Sequence, residues 1–181
     1  MKRPSKVAST TSVPLDQAFE RYYLSIFRYF RYRGADADTA NDLASSTFER
    51  ALRGLHQYDA RKSQMQTWLF TIARNVAINH WKSEAVRSSV PLDEELPNLN
   101  DPPLEDAFIL TEDKEQILLI LQSLDTRARE IIALKFGGPL TNRQIASLIG
   151  ISEQNVAVIL YRSLLKLKNL LTLQEEARHD R

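Results

Sequence analysis

Cysteine is absent from the 181 residues, which excludes disulfides and thiolate metal sites and fits a reducing compartment. Charge of one sign is also missing. Lys and Arg number 24 against 23 Asp and Glu, a formal +1, so any basic surface for a nucleic acid must be local. No run is long and apolar enough to span a membrane, and the basic, Ser- and Thr-rich stretch Met1 to Pro14 lacks the apolar run of a signal peptide. A cytoplasmic, soluble protein with a disordered leader at 1–14 is the expectation, with no membrane insertion. His56, His80 and His179 are too scattered for a metal site or a catalytic dyad. A Walker-type loop, a zinc-ligand cluster and a nucleophile motif are all lacking, so no catalytic residue, metal or cofactor is expected.

Glycine is scarce, at five residues. Apolar positions recur three and four apart instead of alternating, and the fold is therefore read as all-α. A first helix is expected from about Leu15 to Arg33, its stripe formed by Phe19, Tyr22, Tyr23, Ile26, Phe27 and Phe30 and closed at Gly34. A second starts near Asp36 or Asp38 and turns Ala40, Leu43, Ala44, Thr47, Phe48, Ala51 and Leu55 inward. After a polar loop, Tyr58 to Met65, a third carries Trp68, Leu69, Ile72, Ala73, Val76 and Ile78. From about Ser83 to Phe108 the pattern breaks: Pro91, Pro97, Pro102 and Pro103 interrupt helices, and six carboxylates between Asp93 and Asp106 make the stretch acidic. Helical spacing returns with Ile117, Leu118, Leu121 and Leu124, continues through Ile131, Ile132 and Leu134, and ends with Leu164, Leu165, Leu167, Leu170 and Leu171. The expectation is two small helical domains, 15–84 and 112–173, joined by a flexible acidic linker at 85–111 and followed by a tail at 174–181.

Thr141 to Val156 is the most informative stretch. Ala146 is small enough for close helix contact, Gly150 can turn left-handed, Ile151 returns to the core, Ser152 can cap the next helix, and Val156 and Ile159 can lock it. Read as a helix-turn-helix, the segment offers Glu153, Gln154, Asn155, Val158, Tyr161 and Arg162 to base edges in a major groove, with Ser152, Thr141 and Arg143 for phosphates and Lys166 adding charge. The plain alternative is a helical hairpin whose Ala, Gly and Val merely pack. The motif by itself points to DNA, not to a promoter.

Two blocks carry a family resemblance. Asp42-Leu-Ala-Ser-Ser-Thr-Phe-Glu-Arg-Ala51 is followed by Thr67-Trp-Leu-Phe-Thr-Ile-Ala-Arg-Asn75, and Leu121-Gln-Ser-Leu-Asp-Thr-Arg-Ala-Arg-Glu130 leads into the helix-turn-helix. In this order, with the Pro-rich spacer between them, they resemble the small extracytoplasmic function (ECF) group of the sigma-70 superfamily, built from region 2 and region 4. The resemblance implies transcription initiation with core RNA polymerase on promoter DNA. It points to Asp42, Ser45, Ser46, Phe48 and Arg50 for docking on the clamp of the beta-prime subunit, and to region 4 for the beta flap. It places the 58–66 loop, with Tyr58, Lys62, Ser63 and Gln64, and the helix bearing Arg74, Asn75, Asn79 and Lys82 against the unpaired minus 10 strand. Region 4 would read duplex minus 35 DNA.

Such a loop can hold extruded bases by stacking and hydrogen bonding, and trapping them drives melting without hydrolysis. The sequence departs from the family pattern at Ser45 and Ser46, where Gln and Glu are usual, and at Asn79 and Lys82, where Asp and Arg are common. Ala157 and Ile159 replace residues that are often basic, leaving Arg143, Arg162, Lys166 and Lys168 to supply charge. The acidic linker is either a solvated tether or a mimic of nucleic acid in a basic channel of the polymerase. An anti-sigma partner is a further implication of the resemblance. Three rivals stay open: a stand-alone regulator using the same motif, a sigma-like protein that occupies polymerase without reading promoters, and an enzyme.

Overall fold

The computed structural model describes residues 15–87 and 112–179. The leader, most of the acidic linker with Asp93 to Asp106, and the last two residues lie outside them. Seven α-helices make up the described chain, with no strand among its residues. The first, α1, spans Leu15–Arg33 and stops where Gly34 takes a left-handed φ of +109°, a conformation that costs glycine no Cβ clash. Asp36 caps α2 (Ala37–Gly54) by accepting from the Thr39 N–H at 2.8 Å. That bond holds its carboxyl below the usual range. A 3-10 turn, Leu55–Gln57, leads into the loop before α3 (Met65–Arg87). This helix runs a full turn past the point near Ser83 at which the sequence pattern breaks.

In the second half α4 is Glu112–Leu121. Asp125 caps α5 (Thr126–Ile132) through the N–H groups of Arg127 and Ala128. One π turn, Ala133–Gly137, delivers the chain to α6 (Asn142–Ile149) and α7 (Glu153–His179). The last helix extends through most of the stretch assigned to a tail.

The two expected units are packed together on one continuous core. Tyr29 and Phe30 of α1 and Phe70 of α3 are fully buried, as are Ile131 of α5 and Leu134 of the π turn. Close approach is possible because Gly137 and Gly138 lack side chains. A Cβ on Gly137 would sit 2.8 Å from the backbone N of Tyr29, and one on Gly138 would sit 2.7 Å from Cε1 of Phe70.

Several sequence expectations about the core need correction. Ile78 is 41% exposed and Ala77 faces inward instead, because a further step of 100° carries residue 78 off the face shared by Leu69, Ala73 and Val76. Ile117, Leu164 and Leu165 are exposed, whereas Leu160 and Ser163 are buried. Phe19, placed in the apolar stripe of α1, is 43% exposed, and Tyr29, left out of that stripe, is wholly buried because the second half packs over it.

Candidate nucleic-acid interface

The helix-turn-helix is built from local bonds. Thr141 and Gln144 form a reciprocal capping box at the start of α6: the Gln144 N–H donates to Thr141 Oγ1 at 3.2 Å, and the Thr141 N–H donates to Gln144 Oε1 at 2.8 Å. Gly150 turns left-handed at φ +74° and donates to the Ala146 carbonyl. Ser152 then caps α7 by accepting from the Asn155 N–H at 3.1 Å. Val156 and Leu160 lock the helix inward. The opposite side is open: Ser152, Glu153, Gln154, Asn155, Ala157, Val158, Tyr161 and Arg162 are all exposed, Tyr161 at 70%.

Of the residues expected at duplex DNA, those from Ser152 to Arg162 share this surface, and Arg143 is exposed on α6. Thr141 is committed to the capping box. Lys166 is tied elsewhere, its Nζ donating to the Ser123 carbonyl at 2.6 Å. It also lies roughly 20 Å along the axis from Glu153, at 1.5 Å per residue.

On the first half, Asp42 and Ser45 are exposed on one side of α2 with Asp38 and Glu49, spaced three and four apart. Ser46 is half-buried beside them and Arg50 is exposed. Phe48 points the other way, buried against Phe19 with ring centroids 4.8 Å apart. It supports the helix from inside, a correction to its expected place on the docking face: its position, one turn after the inward Ala44, puts it on the core side.

The loop is shaped by Asp59. Its carboxylate accepts from the backbone N–H and the guanidinium of Arg61, which hold it down at about 2. Tyr58 is less free than an aromatic loop residue promises, since its ring packs on Trp68 at 5.1 Å and its hydroxyl donates to the Ser63 carbonyl. Lys62 is exposed and Ser63 half-buried. Along α3, Asn75, Asn79 and Lys82 form an outward polar line at spacings of four and three.

Arg74 and Gln64 do not join that line; they face the second half. Arg74 Nε donates to Glu130 Oε1 at 3.0 Å, and Arg33 Nη1 stands 3.8 Å from the same oxygen. Gln144 Nε2 donates to Gln64 Oε1 at 3.2 Å and to Thr67 Oγ1 at 3.1 Å, while Gln66 Nε2 donates to the Gly138 carbonyl at 2.7 Å. Arg33, Glu130 and Gln144 have no part in the sequence reading of the site, and Gln66 enters it only as the end of the 58–66 loop. Nothing local marks Arg33, Gln66 and Glu130, and the Thr141–Gln144 spacing marks the capping box but not the reach of Gln144 to Gln64 and Thr67, because those partners are distant in the chain.

Comparison with known proteins bears on this arrangement directly. Residues 18–87 match Sigma-70 region 2, and residues 114–167 match Sigma-70 region 4. The chain belongs to the sigma-70 family, in its ECF group. A sigma factor serves promoter recognition and transcription initiation, and that is the function of this chain. The sigma factor is 30% identical to the ECF RNA polymerase sigma factor BldN of Streptomyces coelicolor, with 84% of this chain aligned to 58% of BldN. It is 28% identical to the RNA polymerase sigma factor YlaC of Bacillus subtilis, over 90% of this chain and 94% of YlaC. Its fold is similar to that of the Bartonella quintana sigma factor RpoE, solved in complex with the anti-sigma factor NepR: TM-score 0.68, 19% identity, 87% of this chain and 96% of that one. Among the described residues, no helix is long and apolar enough to cross a membrane.

Proposed function

We propose that this sigma factor divides promoter recognition among three surfaces. The exposed side of α7, Ser152 to Arg162 with Arg143 nearby, reads duplex minus 35 DNA. Asn75, Asn79 and Lys82 of α3, with Lys62 and Ser63 of the loop, hold the unpaired minus 10 strand. Asp42, Ser45, Ser46 and Arg50 of α2 dock on the beta-prime clamp of core polymerase, and region 4 meets the beta flap. The observation that carries this reading is the helix-turn-helix, in which Val156 and Leu160 fill the inward positions while the outward side of the N-terminal half of α7 stays open to solvent.

The work proposed is binding, with no covalent step, and its setting is the cytoplasm, where polymerase and promoters meet. An anti-sigma factor is a fitting regulator, since it would cover these same faces. Run-off transcription with purified core polymerase and a library of promoter fragments tests the proposal. Discrete start sites that depend on the protein support it. Core binding without new start sites favours a sigma-like regulator, and specific duplex binding without core binding favours a stand-alone regulator.

A further inference from the structure

The junction between the halves carries more positive charge than its packing needs. The Arg33 side chain is only 7% exposed, lies 4.7 Å above the ring of Trp81, and has a buried Nε with no partner. Arg74, two turns before Trp81 on the same side of α3, points to the same place. Both guanidinium groups share a single carboxylate oxygen, Oε1 of Glu130, itself 12% exposed. A third guanidinium, Arg129, is near enough that burial and the charge of Arg33 together lower its pKa. It is held by the carbonyls of Gln122 and Leu124. Two cations, Arg33 buried and Arg74 about a quarter exposed at 26%, on one anion leave a charge uncompensated, and the buried one bears most of the cost in a low-dielectric interior. The same arrangement suits a group with more oxygens and more negative charge than a carboxylate.

We propose that Arg33 and Arg74 form a phosphate-binding site for single-stranded nucleic acid, and that Glu130 fills it in the free protein. The inference rests on the reading of α3 as the helix that holds the unpaired strand. Glu130 Oε1 stands where a phosphate oxygen would stand. Trp81 fixes the Arg33 guanidinium by a cation–π contact, and Arg74 adjoins Asn75 at the start of the outward polar line. A strand lying along Asn79 and Asn75 therefore reaches the pair by turning one edge of α3. Because Glu130 belongs to α5, a phosphate enters only when the second half moves away. Strand binding and closure are thus mutually exclusive, and each weakens the other by the same factor.

The test uses the full chain and a fluorescein-labelled single-stranded DNA oligonucleotide of mixed sequence, followed by anisotropy over a range of salt. Glu130→Gln should bind about tenfold more tightly than the unaltered chain, as the competent fraction grows. Its affinity should also fall more steeply with salt, by roughly 0.7 in log–log slope for each phosphate newly engaged. Adding Arg33→Gln and Arg74→Gln to that variant should remove both gains. Equal affinity and slope for Glu130→Gln, in a protein that still melts cooperatively, would overturn the site.

A second measurement leaves the junction intact. The chain has no cysteine, so Glu20→Cys and Asn169→Cys, both at exposed positions, accept a donor and acceptor dye. Energy transfer should fall as the oligonucleotide binds; binding with unchanged transfer overturns the proposal. Start sites directed by the unaltered chain test the parent reading separately. If they appear while the oligonucleotide results fail, this site alone is wrong. If they are absent while those results hold, the site stands as a nucleic-acid site in a protein of different use.

Discussion

The two halves of this sigma factor achieve burial in different ways. Helices α1 to α3 enclose Phe27, Phe30, Phe48, Leu69 and Phe70, large side chains that can close a core among three long helices. Helices α5 to α7 bury aliphatic residues, Ile131, Leu134, Leu140, Ile145, Val156 and Leu160, around two short helices and part of a long one. A unit of that size buries a smaller share of its surface and is marginal by itself. It gains by leaning on α1 and α3, where Gly137 and Gly138 admit the backbone of Tyr29 and the ring of Phe70. The first half is thus a scaffold, and the second is a reader that borrows stability from it when the protein is free.

The largest expected effect lies inside the scaffold. Phe30→Ala should cost about 3–5 kcal/mol, the range for a buried aromatic that leaves a cavity, measured by urea denaturation. A loss under about 1 kcal/mol would mean that the aromatic core does not set the stability of the first half. Gly137→Val sharpens the contrast from the other side. Its branched side chain would have to displace the α1 backbone at Tyr29, and overpacking of this kind costs about 1–3 kcal/mol. The expected result in calorimetry is a single melting transition splitting in two, with the upper one belonging to α1–α3. Retention of one transition at the original temperature would show that the halves are not coupled through this approach.

Tyr29→Phe should act in the opposite direction. The Tyr29 hydroxyl is buried without a hydrogen-bond partner, and burial pushes its phenol well above the ordinary range. Removing an unsatisfied buried hydroxyl should stabilise the closed chain by roughly 1 kcal/mol, seen as a higher urea midpoint with unchanged slope. A lower midpoint would mean that the hydroxyl contributes to packing.

The smallest effect concerns the loop. Asp59 is held at about 2 by Arg61, below its unfolded value near 3.9. Whatever this pair adds to loop order is therefore complete above about pH 4 and disappears as pH falls through about 2. NMR titration of the Asp59 carboxyl should show a midpoint near 2, and Arg61→Gln should move it upward. A midpoint near 3.9 in the unaltered protein would remove the ion pair from the account of the loop.

Local signals were legible in the sequence wherever a residue acts on near neighbours. Gly34 and Gly150 mark left-handed helix ends, Asp36 and Ser152 mark helix starts, and the inward set of α2 follows from spacing alone. The reading failed where the partner of a residue lies far along the chain. Tyr29 belongs to the wet side of α1 if α1–α3 are considered alone, and it becomes core only because the π turn covers it. Tyr58 reads as a free loop aromatic until Trp68, ten positions on, is folded back against it. The candidate site divides in the same way. The open face of α7 could be named from the motif, but the separation of Arg74 and Gln64 from Asn75, Asn79 and Lys82 could not.

By itself the sequence determined that the chain is helical, where α1 begins and ends and where α2 begins, that α6 and α7 form a helix-turn-helix, and the order of its two family blocks. These follow from backbone capping and from periodicities that act within a few residues. Tertiary structure alone decided that the halves share one core, and that Glu130 takes the two guanidinium groups of Arg33 and Arg74. The physical reason is that burial and ion pairing depend on distance in space, and no periodicity relates Arg74 to a carboxylate 56 residues away.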